Sequence, residues 1–424
     1  MKEFDKIIGY KNIKIELERI CDIMVNSEKY RKLGVNTPRG LLIHGDPGLG
    51  KTLMAKCLIA ESGRPVFTCR KDKPDGDFVK EIKKIFEEAK ENAPSIVFLD
   101  DMDKFANEDE HHRNAEEFIT VQSCIDDCKG AEVFALATAN DLDNLPKSLL
   151  RAGRFDKSIE VEAPKGEDAA KIIGYYLSQK KFVADIASDE IARILYGVSC
   201  AELETVINEA GVYAGYDNKS VIELDDILRA AMRVIFDAPE NLTVVDENDL
   251  LAIAYHEAGH AVIAEVLEPG SVSIVSVLSH SGRTGGVTSY YQQNEKYFLH
   301  KKYMENRVLS LLGGKAATEI VYGEVDTGAN NDLHRAFDIV ERFVDNYCST
   351  GFDCFESRSS SNDLRARRDV NISAEMGKYY SVAKKILIEN RAFLDTLAHV
   401  LVEKKTVLNK EIDGIKKRFS IVAA

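Results

Sequence analysis

The sequence predicts an α/β module whose parallel sheet is flanked by helices, followed by a helical lid and a mainly α domain. Over residues 1–164, short apolar runs alternate with helical segments, which is typical of a buried parallel sheet. Strand-like runs are missing from residues 165–240, and residues 241–424 carry long helical patterns around a Gly-rich, β-prone stretch at 271–291. A chain of 424 residues also exceeds one compact core, so these three segments are predicted to be separate domains.

The composition favours a globular protein and disfavours several functional classes. Apolar residues make up 45% of the chain and charged residues 30%, which is the balance of a folded, helix-rich protein. The net charge of -14 disfavours a nucleic-acid-binding surface, so no nucleic-acid partner is expected. The sequence contains no run of membrane-spanning length and no signal peptide, so it predicts a cytoplasmic protein and leaves docking on a membrane or an adaptor protein open. All eight cysteines are expected to be reduced thiols that serve packing.

Each predicted strand of the first domain is a short apolar run. These runs occupy residues 39–44, 66–68, 95–99, 133–137 and 158–162. Helical composition lies between them, for example over residues 78–91. Apolar periodicity predicts helices over 189–196 and 201–214 in the lid, and over 250–267 in the third domain. Residues 357–368 are polar and Ser-rich, and we predict that this segment is mobile.

A glycine-rich segment directly follows the first predicted strand and precedes a helical segment. It fits the phosphate-loop pattern G-x-x-x-x-G-K-[ST], whose backbone N–H groups converge on phosphates. Lys51 is expected to reach the β- and γ-phosphates of ATP, and Thr52 is expected to ligate Mg²⁺. The alternative is a Gly-rich turn with a chance lysine. The residues assigned to nucleotide binding here are Gly45, Asp46, Pro47, Gly48, Leu49, Gly50, Lys51 and Thr52.

Two acids end the buried strand predicted at residues 95–99, where an ATPase needs its second acidic group. Asp100 is expected to hold Mg²⁺ through water, and Asp101 is expected to polarise the attacking water. Because aspartate is one methylene shorter than glutamate, Asp101 is expected to position that water less well than a glutamate would, which leaves slow hydrolysis open. The alternative is that both acids cap the following helix.

Three further polar residues complete the predicted ATPase site. Asn140 follows the next apolar run, where its side chain would orient water near the γ-phosphate. Arg151 and Arg154 would neutralise phosphoryl charge at the site of a neighbouring subunit, with surface ion pairing as the alternative. The chain thus carries, in this order, a phosphate loop, two acids after residue 99, Asn140 and an arginine pair. These four segments, in this order, resemble the AAA+ ATPases. The resemblance implies a ring, usually a hexamer, whose active sites are shared between subunits.

A second chemistry is indicated by the sequence H-E-A-G-H within the predicted helix 250–267. His256 and His260 would project from one helix face at i and i+4, which suits Zn²⁺. Glu257 would act as the general base toward water and then as the acid for the leaving amine. The alternative is a buried helix with satisfied histidines.

A catalytic zinc site also needs a third protein ligand, which sequence spacing alone does not select. Glu305, Glu319 and Asp332 are all candidates. Asp332 could instead be the N-cap of a helix predicted over residues 333–347.

An ATPase module, a helical domain and H-E-A-G-H, in this order over residues 4–412, resemble the FtsH family of ATP-dependent zinc metalloproteases. Segments 206–210 and 311–319 are also similar to family segments. The segment 323–333 resembles the third-ligand segment of the family, and this match selects Asp332. The resemblance implies one Zn²⁺ per subunit, ATP and Mg²⁺, and a homohexameric ring that threads unfolded or damaged proteins through a pore and cuts them processively.

Three departures from the family concern the motor or its attachment. The family usually begins with one or two membrane spans, whereas this sequence starts at the ATPase. The Phe-Val-Gly pore segment of the family is shortened here, and Phe78 remains as the aromatic residue that would grip a substrate, with helix packing as its alternative role. Asp101 replaces glutamate, and residues 110–129 lack the acidic and glutamine pattern of the family.

Three functional hypotheses follow from these sites. The first is an ATP-dependent zinc endopeptidase that unfolds, translocates and degrades proteins. The second is a nucleotide-gated peptidase with a weak motor, and the third is a non-proteolytic remodelling or scaffold ring with a silent zinc site. Cleavage that requires ATP turnover favours the first, and cleavage with a non-hydrolysable analogue favours the second.

Overall fold

The chain folds into two compact units, Met1–Ile227 and Leu228–Ala424. The division into three domains, with boundaries after residues 164 and 240, stays a prediction. The structure is a computed structural model that describes residues 2–35, 37–71, 78–106, 115–151, 153–238, 246–278, 285–292, 300–324, 328–351 and 361–422.

The first unit is built on a five-stranded parallel sheet. Its strands are β1 (Gly40–His44), β2 (Val66–Cys69), β3 (Ser95–Leu99), β4 (Val133–Ala139) and β5 (Lys157–Glu160). They pair in parallel in the order β2-β3-β4-β1-β5. Every residue of β1 and β3 is buried, as expected for apolar runs covered on both faces. All five predicted strands are therefore confirmed.

Helices pack against this sheet and continue into the predicted lid. They are α1 (Lys11–Val25), α2 (Ser27–Lys32), α3 (Lys51–Ser62), α4 (Phe78–Glu91), α5 (Ala115–Asp127), α6 (Gly166–Ser178), α7 (Ser188–Ile194) and α8 (Cys200–Tyr216), and α9 (Leu224–Val234) begins in this unit. Helix α3 starts directly after the phosphate loop, so its N-terminus faces that loop. Helix α8 starts with a capping box, in which the Ser199 hydroxyl accepts a hydrogen bond from the backbone N–H of Glu202.

The second unit is mainly helical and contains a small antiparallel sheet. Its elements after α9 are α10 (Glu247–Leu267), β6 (Val272–Ser276), β7 (Val287–Tyr290), α11 (Lys301–Tyr322), α12 (Asn330–Asp345), α13 (Asn362–Glu389), α14 (Arg391–Lys404), β8 (Thr406–Leu408) and α15 (Asn409–Lys416). The strands pair in the order β7-β6-β8. Strands β6 and β7 confirm the predicted β-prone stretch.

Helices α10 and α11 approach closely because glycines meet where they contact. A Cβ atom on Gly259 would lie 2.3 Å from the carbonyl oxygen of Gly313, and a Cβ atom on Gly313 would lie 2.6 Å from that of Gly259. Within the described ranges, α10 is also the one helix long and apolar enough to cross a membrane by length and composition. Because most of α10 is buried inside the protein, we interpret it as a core helix.

The predicted mobile segment is partly helical. Residues 361–368 form the cap and first turns of α13, where the Ser361 hydroxyl accepts a hydrogen bond from the backbone N–H of Leu364. Arg368 Nε lies 2.7 Å from Asp345 Oδ1. The sequence prediction missed this helix start, because it is formed by a cap and ion pairs and lacks apolar periodicity. Residues 352–360 lie outside the described ranges.

Seven of the eight cysteines lie in the described residues, and all seven are free thiols. Burial raises the pKa of the Cys69 thiol to about 12, so this thiol is protonated and unreactive at neutral pH. Cys354 lies outside the described ranges.

Candidate active sites

Three candidate zinc ligands meet between α10 and α12. His256 and His260 lie one turn apart on α10, and their Nε2 atoms are 3.0 Å apart. Asp332 lies in the first turn of α12, and its Oδ2 atom is 3.3 Å from the Nε2 atom of each histidine. Among the residues that the structure describes, this is the one group of three or more His, Cys, Asp or Glu side chains close enough to share a metal ion.

The spacing of these ligand atoms fits Zn²⁺. A tetrahedral ion bonded to nitrogen or oxygen at about 2.1 Å separates its ligand atoms by roughly 3.4 Å. The observed separations are 3.0, 3.3 and 3.3 Å, so one ion can bond all three atoms. A Cβ atom on Gly314 of α11 would lie 2.5 Å from His256 Nε2 and 2.6 Å from His260 Nε2. Glycine at this position therefore makes room for both imidazoles.

Hydrogen bonds and charge orient the ligand atoms. His260 Nδ1 lies 2.7 Å from the Ser310 carbonyl oxygen, to which it donates in the tautomer that presents Nε2 to a metal. Burial lowers the pKa of His260, but the Asp332 carboxylate and other nearby groups together raise it to about 9. Burial raises the pKa of Asp332, but the two histidines together hold it well below its ordinary value. A metal ion competes with protons for these atoms, so binding is expected to release protons.

Glu257 lines a cavity beside the three candidate ligands. The cavity has a volume of about 660 Å³ and is lined by residues of α10, β7, α11 and α12. The Glu257 side chain is buried, and the Thr288 hydroxyl donates a hydrogen bond to its Oε2 atom at 2.6 Å. A carboxylate in this position can exchange a proton with a water molecule beside the metal ligands.

The phosphate loop joins β1 to α3 and uses backbone angles that glycine permits. Gly48 and Gly50 have φ angles of 78° and 87°. Lys51 is buried, and its Nζ atom donates hydrogen bonds to the carbonyl oxygens of Gly45 and Asp46 at 2.7 and 2.6 Å. Burial lowers the pKa of Lys51. The ammonium group is therefore held inside the loop, where phosphate oxygens would replace the two carbonyls as its partners.

The start of α8 contacts the phosphate loop. The backbone N–H of Ala201 donates a hydrogen bond to the Gly48 carbonyl oxygen at 3.0 Å. Cys200 Sγ lies 3.4 Å from the Tyr10 hydroxyl, which donates to the Glu162 carbonyl oxygen at 2.9 Å. The helical segment after the sheet is thus hydrogen bonded to the loop that would hold nucleotide.

Asp100 and Asp101 follow β3 at the carboxyl edge of the sheet. The hydroxyl groups of Thr52 and Thr138 donate to Asp100 Oδ1 at 3.1 and 2.8 Å. The structure therefore brings the two predicted Mg²⁺-binding residues together. Asp101 Oδ2 accepts a hydrogen bond from Lys104 Nζ at 2.6 Å, and its side chain makes no capping bond to the short 3-10 helix that follows. The capping alternative is therefore wrong for Asp101.

The remaining predicted ATPase residues differ in their surroundings. The backbone N–H of Asn140 donates to Asp103 Oδ1 at 3.1 Å, which places Asn140 beside the acids after β3. Arg154 Nη2 donates to Asp126 Oδ2 at 2.8 Å. Arg151 is exposed. Arg154 therefore makes the ion pair that the alternative expects, whereas the structure shows Arg151 only as an exposed side chain.

Comparisons with known proteins agree with these two sites. Residues 41–163 match the family model described as ATPase family associated with various cellular activities (AAA), and residues 243–415 match Peptidase family M41. The chain is 30% identical to the ATP-dependent zinc metalloprotease FtsH 3 of Synechocystis sp., over 97% of this chain and 72% of that protein. It is 31% identical to the ATP-dependent zinc metalloprotease FtsH 2 of Thermoanaerobacter sp., over 97% of this chain and 82% of that protein.

The chain belongs to the FtsH family. It is an ATP-dependent zinc metalloprotease with an α/β AAA domain and a mainly helical M41 domain, as the sequence predicts. ATP, Mg²⁺ and Zn²⁺ are its cofactors. The comparisons give no support to a peptidase with a weak motor or to a non-proteolytic scaffold.

The structure of this FtsH protein separates the three candidates for the third zinc ligand. Glu305 accepts a hydrogen bond from the Tyr379 hydroxyl at 2.9 Å, and Glu319 pairs with Lys384 at 2.6 Å. Of the three, Asp332 alone belongs to the group with the two histidines. The N-cap alternative for Asp332 is wrong because α12 begins at Asn330, two residues earlier than that alternative requires.

Phe78 of this FtsH chain belongs to the core. Its side chain is 4% exposed, and its ring meets that of Phe105 edge to face at 5.2 Å between centroids. The helix-packing alternative is confirmed, and the prediction of Phe78 as a pore aromatic was wrong, because the residue starts the buried face of the amphipathic helix α4. Residues 72–77 of the shortened pore segment and residues 107–114 lie outside the described ranges.

Several residues at the two sites of this FtsH protein were not singled out from the sequence. At the ATPase site, Thr138 is hydrogen bonded to Asp100 and Lys104 to Asp101. At the protease site, Thr288 is hydrogen bonded to Glu257, and the carbonyl oxygen of Ser310 to His260. The position of Thr138 at the end of an apolar run was a usable signal, because polar groups that end parallel strands meet at one sheet edge. The other contacts depend on tertiary packing that no local pattern specifies.

Proposed function

We propose that this FtsH protein forms a homohexameric ring that uses ATP hydrolysis to unfold protein substrates and translocate them to its zinc sites, where they are degraded. The exposure of Arg151 supports an ATPase site completed by a neighbouring subunit. Unfolded or damaged proteins are the substrates we propose. Cytoplasmic localisation, and docking on a membrane or an adaptor, stay predictions.

For peptide hydrolysis, we assign one Zn²⁺ per subunit to His256, His260 and Asp332. The observation that carries this assignment is the meeting of the three ligand atoms within 3.3 Å beside the cavity that Glu257 lines. When bound, the ion supplies Lewis-acid activation of water and of the scissile carbonyl. Glu257 takes a proton from the attacking water and delivers it to the leaving amine as the C–N bond breaks.

For ATP hydrolysis, we assign the β- and γ-phosphates to Lys51 and the loop N–H groups. Thr52 and Asp100 hold Mg²⁺, as their hydrogen bond at 3.1 Å supports. Asp101 and Asn140 orient the attacking water. Arg151 neutralises phosphoryl charge at the neighbouring site, while Arg154 acts indirectly, by holding the segment that carries Arg151 against Asp126.

The experiment that tests this function is casein degradation by the wild type and by Glu257→Gln. Wild-type cleavage should require ATP and fail with a non-hydrolysable analogue or a zinc chelator. Glu257→Gln should abolish cleavage and spare zinc and nucleotide binding, because it removes the base without removing a ligand. Glu247→Gln, at an exposed position of the same helix, is the matched control and should behave as wild type.

Each alternative predicts a different result of this experiment. Cleavage that is indifferent to ATP hydrolysis would favour the nucleotide-gated peptidase. No cleavage at all by the wild type would favour the scaffold. Retained cleavage by Glu257→Gln would refute the role of Glu257.

A further inference from the structure

The side chain of Glu257 is enclosed by strand β7 and the glycine before it. The Thr288 hydroxyl lies 2.6 Å from Glu257 Oε2 and 3.2 Å from the Glu257 carbonyl oxygen. A Cβ atom on Gly286 would lie 2.5 Å from Glu257 Cγ and 2.4 Å from the Ser276 carbonyl oxygen. Side chain and backbone of the same short segment therefore both limit where the carboxylate can lie.

The sheet fixes the position of Thr288. Thr288 pairs with Val275 across the antiparallel ladder of β6 and β7, and Val275 pairs with Val407 of β8. Because side chains alternate along a strand, Thr288 projects to the face opposite that of Val287 and Ser289. The hydroxyl is thus presented to Glu257 by a paired strand, not by a loop.

A hydrogen bond of this length to a carboxylate is a strong one. O–H groups that donate to ionised carboxylates lie at about 2.5 to 2.7 Å and bind roughly twice as strongly as neutral pairs. Glutamate has three side-chain torsions, and a general base works only within hydrogen-bond reach of the proton it takes. A bond that selects one rotamer therefore matters for the rate of proton transfer.

We propose that Thr288 is a positioning residue for Glu257: its hydroxyl holds Oε2 and thereby directs Oε1 toward the attacking water. The role of Thr288 rests on the proposed role of Glu257 as the base. Thr288 also lines the cavity beside the proposed zinc ligands, and the role we propose for its hydroxyl is exerted through Glu257.

The test measures cleavage of a short fluorogenic peptide by the assembled, zinc-loaded enzyme with ATP. Thr288→Val should lower kcat by about tenfold to a hundredfold, the loss expected when a catalytic group is displaced by about 1 Å. KM and zinc content should stay within about twofold of wild type, because no zinc ligand is removed and valine keeps the shape of the side chain that lines the cavity. Thr288→Ser, which keeps the hydroxyl, should restore most of the activity.

Two further variants separate the effect of losing the hydroxyl from the effect of changed side-chain packing. Thr288→Ala should lose as much kcat as Thr288→Val, although alanine is smaller than threonine and valine has the same shape as threonine. Ser289→Ala, on the other face of the same strand, is the matched control and should keep wild-type kcat.

A readout without zinc tests the hydrogen bond itself. In chelator, Thr288→Val should lower the melting temperature more in the wild-type background than in a Glu257→Ala background, because the second background lacks the acceptor. Equal shifts in the two backgrounds would show that Thr288 contributes through packing alone and would overturn the proposal.

The kinetic outcomes are distinguishable from a failure of the proposed function. Wild-type kcat in Thr288→Val and Thr288→Ala, together with an inactive Glu257→Gln, would overturn the role of Thr288 and leave that of Glu257 standing. An active Glu257→Gln would overturn both. Zinc loss in Thr288→Val would also overturn the proposal, because it would show that the threonine maintains the metal site instead of the base.

Discussion

The protease site and the ATPase site of this chain differ in how their functional groups are held. At the protease site, the side chains of His256, His260 and Asp332 are 13%, 6% and 18% exposed and stand on packed helices. At the ATPase site, the functional groups lie at the ends of strands, in loops and in the first turn of α3. There the Asp101 side chain is 22% exposed and pairs with Lys104, which is 57% exposed.

This difference shows which site must rearrange to work. The atoms of the three proposed zinc ligands already have the spacing of a metal site within one chain. Lys51, in contrast, is bonded to carbonyls of its own loop, and Asp101 is bonded to Lys104, so ligand binding must exchange these contacts. We therefore expect packing changes to abolish the protease site outright. At the ATPase site we expect a large loss only when the phosphate-binding ammonium of Lys51 is removed, and smaller effects from changes to Asp101 and to the Arg154 ion pair.

The largest effect is expected for Gly314→Ala. The added Cβ atom would lie within 2.6 Å of the Nε2 atoms of both His256 and His260, so an imidazole must swing away from the ligand position. We expect zinc affinity to fall by about a hundredfold, the upper end of the loss seen when a group that orients a ligand is removed, and casein cleavage to be lost. Metal analysis after dialysis, together with a cleavage assay, measures this.

The matched control for this variant is Gly377→Ala on α13, where an added Cβ atom meets nothing within 4 Å. This variant should keep its zinc and its activity. Normal zinc content in Gly314→Ala would contradict the claim that packing holds the protease site, because it would mean that the packed helices tolerate displacement of a ligand.

The second prediction concerns Lys51→Ala. Removing the main counter-charge of the phosphate loop should reduce degradation of a folded substrate by roughly a hundredfold or more, since the enzyme can no longer use ATP. Zinc content should not change, and cleavage of a short peptide should stay within severalfold of wild type. Lys56→Ala, at an exposed position of α3, is the control. An equal loss for short peptide and folded protein would show that the protease site depends on nucleotide.

Much of this fold could be predicted because its signals are local. All five strands of the parallel sheet coincide with apolar runs, and α10 coincides with an apolar helical pattern. The N-terminal part of α13 was missed because its stability comes from Ser361 and from Arg368, whose acidic partner Asp345 lies 23 residues earlier. A polar segment stabilised by distant partners cannot be distinguished from a mobile one by composition.

The candidate sites also combine local motifs, which the sequence reveals, with contacts between distant residues, which it does not. The histidines of H-E-A-G-H and the residues of the phosphate loop lie within one turn or one loop, so their spacing indicates their geometry. Glu257 and Thr288 are 31 residues apart, and Asp100 and Thr138 are 38 apart. Such pairs depend on strand register, and no pattern in a single sequence fixes which hydroxyl meets which carboxylate.

The third prediction is a smaller effect, an increase in ATP turnover in Asp101→Glu. The longer side chain should reach the attacking water better, and we expect a gain of about twofold to tenfold in a steady-state ATPase assay. Lys104→Met removes the cation bonded to Asp101. This variant tests whether that bond keeps the short carboxylate from reaching the attacking water. A fall in turnover in Asp101→Glu would mean that the site has adapted to aspartate.

The smallest effect is expected from the ion pair of Arg154 and Asp126. The hydrogen bond from Arg154 lowers the pKa of Asp126 from 3.8 to about 2, helped by Lys129. Because the folded value is the lower one, the pair stabilises the protein above about pH 4, and this contribution is lost as the pH falls through about 2. The pair is partly exposed, so we expect about 1 kcal/mol or less.

Asp126→Asn should therefore lower the urea midpoint of the first unit at pH 6, and its difference from wild type should shrink as the pH falls below 4. Asp127→Asn, at the next and exposed position, should show no such dependence. Loss of ATPase activity should be larger for Arg151→Ala than for Asp126→Asn, because we propose that Arg151 meets the neighbouring phosphate and Arg154 only holds its segment. If Asp126→Asn instead raised ATP turnover, the result would mean that Arg154 itself acts in catalysis once it is released. The ion pair with Asp126 would then hold this arginine in an inactive position.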